Sequence, residues 1–79
     1  MRSHIVYQLL NKDNWEVVEQ IDSFLWIYDR ELSFKERIVV NMKMQGYTTK
    51  EIAAELNLSE STIRVHTHNL KKKILNELY

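Results

Sequence analysis

Residues 49–70 read TKEIAAELNLSESTIRVHTHNL, and this stretch decides the fold. It holds a short helical pattern, a turn of about three residues and the start of a longer helical pattern, in the order of a helix-turn-helix. Six of its positions have the character that motif needs. Ala53 is small where two helices must approach closely. Asn57 suits the turn conformation usually given to glycine, because Asn tolerates the left-handed region. Leu58 plugs the corner, Ile63 packs the second helix onto the first, and Ile52 and Leu56 anchor the first helix to a core. Thr48-Thr49-Lys50-Glu51 is a capping box, in which a hydroxyl and a carboxylate each satisfy a free backbone N–H. The helix behind it is expected from Thr49 to about Leu56. Ser59 caps the next, expected over roughly Glu60 to Glu77, with Ile63, His66 or Thr67, Leu70 and Ile74 facing inward.

Upstream, Ser33-Phe34-Lys35-Glu36 is another full box. Its helix carries Ile38, Val39, Met42 and Met44 and stops at Gly46, the chain's single glycine, where a helix end commonly turns left-handed. Nearer the N-terminus, Asp13-Asn14-Trp15-Glu16 is a variant box with Asp in the hydroxyl position. Val17, Val18, Ile21, Phe24, Leu25 and Tyr28 follow at helical spacing. The expectation is one helix from about Asn14 to Arg30, with Trp15 and Trp26 near the same face, after a shorter helix from about His4 to Leu10. Trp15, Val18, Leu25 and Trp26 make a broad apolar surface for so small a domain. They are assigned to the core or to a dimer or partner interface.

Composition agrees with this pattern. The 79 residues suffice for one domain, and one Gly with no Pro leaves few turns for a sheet. The fold class is therefore all-α, a domain of four or five helices with a C-terminal tri-helical helix-turn-helix. Residues 1–31 form a helical extension and residues 32–79 the helix-turn-helix unit. The absence of Cys excludes disulfides, thiolate metal sites and a thiol nucleophile, and fits the cytoplasm. No apolar run approaches the roughly 20 residues of a membrane span. No signal peptide is expected, and no membrane partner.

The formal net charge is zero, but it is unevenly spread. Residues 1–33 carry net −3 and residues 34–79 net +3, and the last nineteen residues alone carry +3. A basic end on a neutral chain still steers that end toward phosphates. Catalysis finds no support, since one Gly rules out a Gly-rich phosphate loop and the carboxylates sit at caps or on solvated faces. His66 and His68 point to nearly opposite sides of a helix and cannot chelate one metal ion. Neither a cofactor nor a metal is implied.

Residues 32–74 resemble the LuxR/GerE-type DNA-binding domain. The pieces that carry the resemblance are Glu36-Arg37, Gly46, Lys50-Glu51-Ile52-Ala53, Leu56, Leu58-Ser59-Glu60, Thr62-Ile63-Arg64-Val65-His66, Asn69-Leu70 and Lys73-Ile74. The same residues are similar to region four of sigma factors. The resemblance implies sequence-specific binding of double-stranded DNA in transcriptional regulation, by a bacterial or phage-type regulator. It places Arg64, Val65 and His68 in the groove, and Ser61 shares their outward face. An α-helix fits the major groove, Arg pairs bidentately with guanine, and Val meets a thymine methyl. Thr48, Thr49, Lys50, Thr62, Lys71 and Lys72 are the expected phosphate contacts, which position the protein without reading sequence. Taken alone, the Lys71–Lys73 run is also what a solvated helix face looks like. The family's usual dimerising fourth helix has no counterpart before Tyr79, so the N-terminal helix is the expected contact of a homodimer. Two other readings stay open: a sigma-like accessory that touches promoter DNA and RNA polymerase, and an interaction module, such as an anti-activator, that binds a regulator protein through its N-terminal helix.

Overall fold

The computed structural model describes residues 2–78. Five α-helices and one 3-10 helix follow one another, and no strand occurs among the described residues. They are α1 (Arg2–Asn11), the 3-10 helix (Trp15–Gln20), α2 (Phe24–Arg30), α3 (Phe34–Met44), α4 (Thr49–Leu56) and α5 (Glu60–Leu78). Both full capping boxes form. The Ser33 hydroxyl accepts from the Glu36 N–H at 3.3 Å while Glu36 Oε1 accepts from the Ser33 N–H at 2.9 Å. Thr48 and Glu51 make the same exchange at 3.1 and 2.9 Å. Helix α3 ends just before Gly46, which adopts φ +93°, as a helix stop with no Cβ can.

The segment 14–30 is not the single helix that the spacing predicts. It is a 3-10 helix, an extended residue at Ile21, a turn, and then α2. Asn14, not Asp13, supplies the cap, accepting from the Glu16 N–H at 3.2 Å. The buried residues explain the break. Trp15, Val18, Ile21, Phe24 and Ile27 are all buried, at every third position. In an α-helix each three-residue step falls about 60° short of a full turn, so five such positions spiral away from one face. A 3-10 helix has three residues per turn and stacks the first of them in line. The break at Ile21 then re-aims the chain so that Phe24 and Ile27 also reach the core. Trp15 and Val18 are thus core residues and leave the proposed interface, whereas Leu25 is 76% exposed and Trp26 49% exposed. The two tryptophans do not share a face.

Side chains from all six elements meet in one apolar cluster that includes Leu9, Val18, Ile27, Val39, Ile52, Ile63, Leu70 and Ile74. Polar links close its edges. Arg37 donates from Nε to the Tyr28 carbonyl at 2.9 Å and from Nη2 to the Asp29 carbonyl at 2.7 Å, occupying carbonyls at the end of α2. Lys73 of α5 donates from Nζ to Glu36 Oε1 at 2.6 Å and to the Glu31 carbonyl at 2.9 Å. Burial raises the pKa of the Glu36 carboxyl, but the hydrogen bonds from Lys73 and Ser33 and the Lys73 charge together outweigh it. The net effect holds the group below its ordinary value.

A carboxyl lowered in the folded state stabilises fully above its unfolded pKa of about 4.3, and that contribution is lost as pH falls through the lowered folded value. Glu36→Gln keeps the shape and removes the charge. We expect it to cost about 1–2 kcal/mol in urea denaturation at neutral pH. The gap from the unsubstituted protein should close as the pH falls below about 4. An equal gap at both pH values would show that the carboxylate charge is not what stabilises this junction.

Candidate nucleic-acid interface

Helices α4 and α5 are joined by Asn57, Leu58 and Ser59. Asn57 sits at φ 55°, ψ 45°, the left-handed conformation expected of it. The Leu58 N–H returns to the Ala53 carbonyl at 3.0 Å, as at other left-handed helix stops. Ala53, Ile52 and Ile63 are buried between the helices, and Leu56 and Leu58 pack against the same cluster. Ser59 caps α5 through its hydroxyl, which accepts from the Thr62 N–H at 3.1 Å and meets the Thr62 hydroxyl at 2.8 Å. The inward stripe of α5 is Ile63, Leu70, Ile74 and Leu78. His66 and Thr67 are half-buried, and Thr67 spends its hydroxyl on the Ile63 carbonyl at 2.8 Å.

That inward stripe leaves the opposite face free. Ser61, Arg64, Val65 and His68 are all exposed, one to two turns into α5. Val65 is 59% exposed, a β-branched apolar side chain held in water on an otherwise polar face. Among the described residues, Arg64 reaches only its helical neighbour Glu60, at 3.5 Å, and both side chains are well solvated. That contact is weak enough to be exchanged for another partner.

The expected phosphate contacts separate into two groups. Thr49 borders the same groove as Arg64, His68 and Lys71, so the start of α4 and the middle of α5 line a common depression. Thr48, Lys50, Thr62 and Lys72 lie outside it. Thr48, Lys50 and Lys72 are exposed and Thr62 is half-buried. The three lysines diverge: Lys73 is turned to Glu36, Lys71 is 3.0 Å from Asp13, and Lys72 is exposed to solvent.

Three residues of the groove, Lys43, Asp13 and Thr67, lie outside the site expected from the sequence, and Thr67 was expected only as an inward-facing residue. Lys43 is buried at the end of α3 and donates from Nζ to the Thr49 hydroxyl at 3.1 Å. Its only signal is that it is a basic residue in the last turn of a helix, where the dipole favours it. The sequence pattern makes Asp13 a cap, yet its carboxylate lies at this groove from outside the helix-turn-helix altogether. Among the described residues, no three His, Cys, Asp or Glu side chains come together as a metal site, and no helix is long and apolar enough to cross a membrane.

With this geometry in view, the chain's relatives can be placed. The family model described as "Bacterial regulatory proteins, luxR family" matches residues 30–76, which span α3, α4 and most of α5. The chain belongs to the LuxR family of bacterial regulatory proteins. Response regulator protein TmoT of Ectopseudomonas mendocina is 44% identical over 43 residues, covering 54% of this chain and 20% of TmoT. Transcriptional regulatory protein UhpA of Escherichia coli K12 is 49% identical over 43 residues, 54% of this chain and 22% of UhpA. Spore germination protein GerE of Bacillus subtilis 168 is 46% identical over 43 residues, 54% of this chain and 58% of GerE. No solved structure matches significantly. The exposed face of α5 therefore belongs to a LuxR-type DNA-binding helix-turn-helix, a unit of transcriptional regulation by sequence-specific DNA binding. The chain spans about a fifth of the length of the first relatives it matches, and residues 1–29 lie outside the family match.

Enlarging Ala53 should force α4 and α5 apart. We expect Ala53→Leu to cost about 1–3 kcal/mol by overpacking and to weaken DNA binding, while Ala54→Leu on the exposed side of α4 costs little. Thermal melting of the two variants checks this, and similar losses would mean that the helices are not closely apposed at Ala53.

Proposed function

We propose that the chain reads duplex DNA by laying the first turns of α5 in the major groove, with Ser61, Arg64, Val65 and His68 on the base edges. The observation that carries this reading is that these four side chains share an exposed face while every large apolar residue of α5 except Val65 turns inward or is half-buried. Arg64 suits guanine and Val65 a thymine methyl. Thr48, Thr49, Lys50, Thr62 and Lys72 flank that face and hold the phosphates, and Lys71 joins them when Asp13 yields it. Work on DNA places the protein in the bacterial cytoplasm.

The exposed pair Leu25 and Trp26 favours a protein contact besides the DNA. We assign to it a second copy of the chain, since paired reading heads double the bases read. RNA polymerase or a regulator protein is the alternative occupant, as in the accessory and anti-activator readings.

Fluorescence anisotropy against a pool of labelled duplexes tests the DNA reading. Arg64→Ala should weaken the best duplex by about 1–3 kcal/mol and blur discrimination between duplexes. Lys72→Ala should weaken all duplexes alike and reduce the salt slope by about 0.9. Absence of binding at low salt by the folded protein would overturn the reading and leave the protein-contact one.

A further inference from the structure

The one acidic group among the residues lining the groove between α4 and α5 comes from the N-terminal half of the chain. Asp13 Oδ1 lies 3.0 Å from Lys71 Nζ, with the carboxylate side chain 57% exposed and the lysine side chain 24% exposed. The arrangement is built rather than incidental. Asp13 is held at φ 51°, a left-handed conformation in which few non-Gly residues are found. The buried Trp15 ring donates from Nε1 to the same Oδ1 at 3.0 Å, which fixes the carboxylate from behind. Lys71 Nζ also lies 5.8 Å from the centre of the Trp15 ring, so the N-terminal segment gives this one lysine both a carboxylate and an aromatic face.

Thr49, Arg64, His68 and Lys71 line this groove together with Asp13. A DNA strand running past the start of α4 and along α5 brings its phosphates over the same groove. A carboxylate oxygen 3.0 Å from a lysine nitrogen takes the place that a phosphate oxygen would take. It also repels that phosphate by like charge.

We propose that Asp13 is an intramolecular stand-in for phosphate: it occupies Lys71 in the free protein, must surrender it when DNA binds, and so sets the affinity below what the reading helix alone would give. The proposal rests on the DNA-reading role assigned to α5. It assigns the N-terminal segment, outside the family match, a direct part in the binding equilibrium.

Asp13→Asn is the informative variant. Asn accepts the left-handed conformation as readily as Asp and keeps an oxygen for the Trp15 N–H, so the fold is retained while the charge goes. The measurement is anisotropy of a fluorescein-labelled mixed-sequence duplex with the full chain, at several salt concentrations between about 50 and 200 mM. The unsubstituted protein, Asp13→Asn, Lys71→Gln and the double variant are compared, each checked for helicity by circular dichroism. Asp13→Asn should bind about three- to tenfold more tightly with the salt slope little changed, because Lys71 meets the phosphate in both complexes and only the cost of surrendering its carboxylate partner is removed. Lys71→Gln alone should weaken binding and lower the salt slope by about 0.9, and in the double variant the gain from Asp13→Asn should disappear. Equal or weaker binding by Asp13→Asn overturns the proposal while leaving the DNA reading intact. A gain that persists in full with Lys71→Gln also overturns it, because the effect would then be diffuse charge. If neither the unsubstituted protein nor Asp13→Asn binds at low salt, the DNA reading itself fails and the proposal goes with it.

Discussion

The carboxylate of Glu36 is the joint at which the end of α2, the start of α3 and helix α5 are held together. It caps the start of α3 through Ser33 and takes a hydrogen bond from Lys73 near the end of α5, and Lys73 in turn holds the last carbonyl before the α2–α3 turn. One nearly buried anion thus ties three segments together. Its cost in desolvation is offset by the Lys73 charge and by two hydrogen bonds to Oε1, since a buried charge is tolerated where it is paired and hydrogen-bonded. Because Lys73 is anchored there, the phase of α5 about its own axis is set, and with it the direction in which Arg64 and His68 point.

The C-terminal half was legible because its signals are local. A capping box needs only four consecutive residues, and Asn57 or Gly46 declares its backbone conformation by type alone. Stripes such as Ile63, Leu70 and Ile74 report the inner face of a helix whatever it packs on. The N-terminal half defeated the same reading for an equally physical reason. Val17, Val18, Ile21, Phe24 and Leu25 fit an α-helical stripe tolerably well, and nothing local distinguishes that from a three-residue period interrupted at Ile21. Only the demand that Trp15, Val18, Ile21, Phe24 and Ile27 all be buried together separates the two, and that demand is tertiary.

The candidate site divides along the same line. Ser61, Arg64, Val65 and His68 follow from the phase of one helix, and all four are exposed as that phase requires. The groove beside them is assembled from α3, α4, α5 and the link after α1, so Lys43 and Asp13 could not be placed in it from spacing. The divergence of Lys71, Lys72 and Lys73 was foreseeable from the 3.6-residue turn. Their partners were not, because Asp13 and Glu36 lie 58 and 37 residues away in the chain.

The shared apolar cluster bears on modularity. Leu9, Trp15, Val18 and Ile27 precede the family match, yet they are buried with Val39, Ile52 and Ile63 inside it. The boundary that sequence kinship draws at residue 30 therefore passes through a hydrophobic interior instead of around it. Excising residues 30–76 for a chimera would expose the inner surface of the recognition unit to water, so the unit that can be transplanted is larger than the unit that is inherited. In this chain the first three helices are a structural floor for the helix-turn-helix, and substitutions there reach the exposed face of α5 through packing.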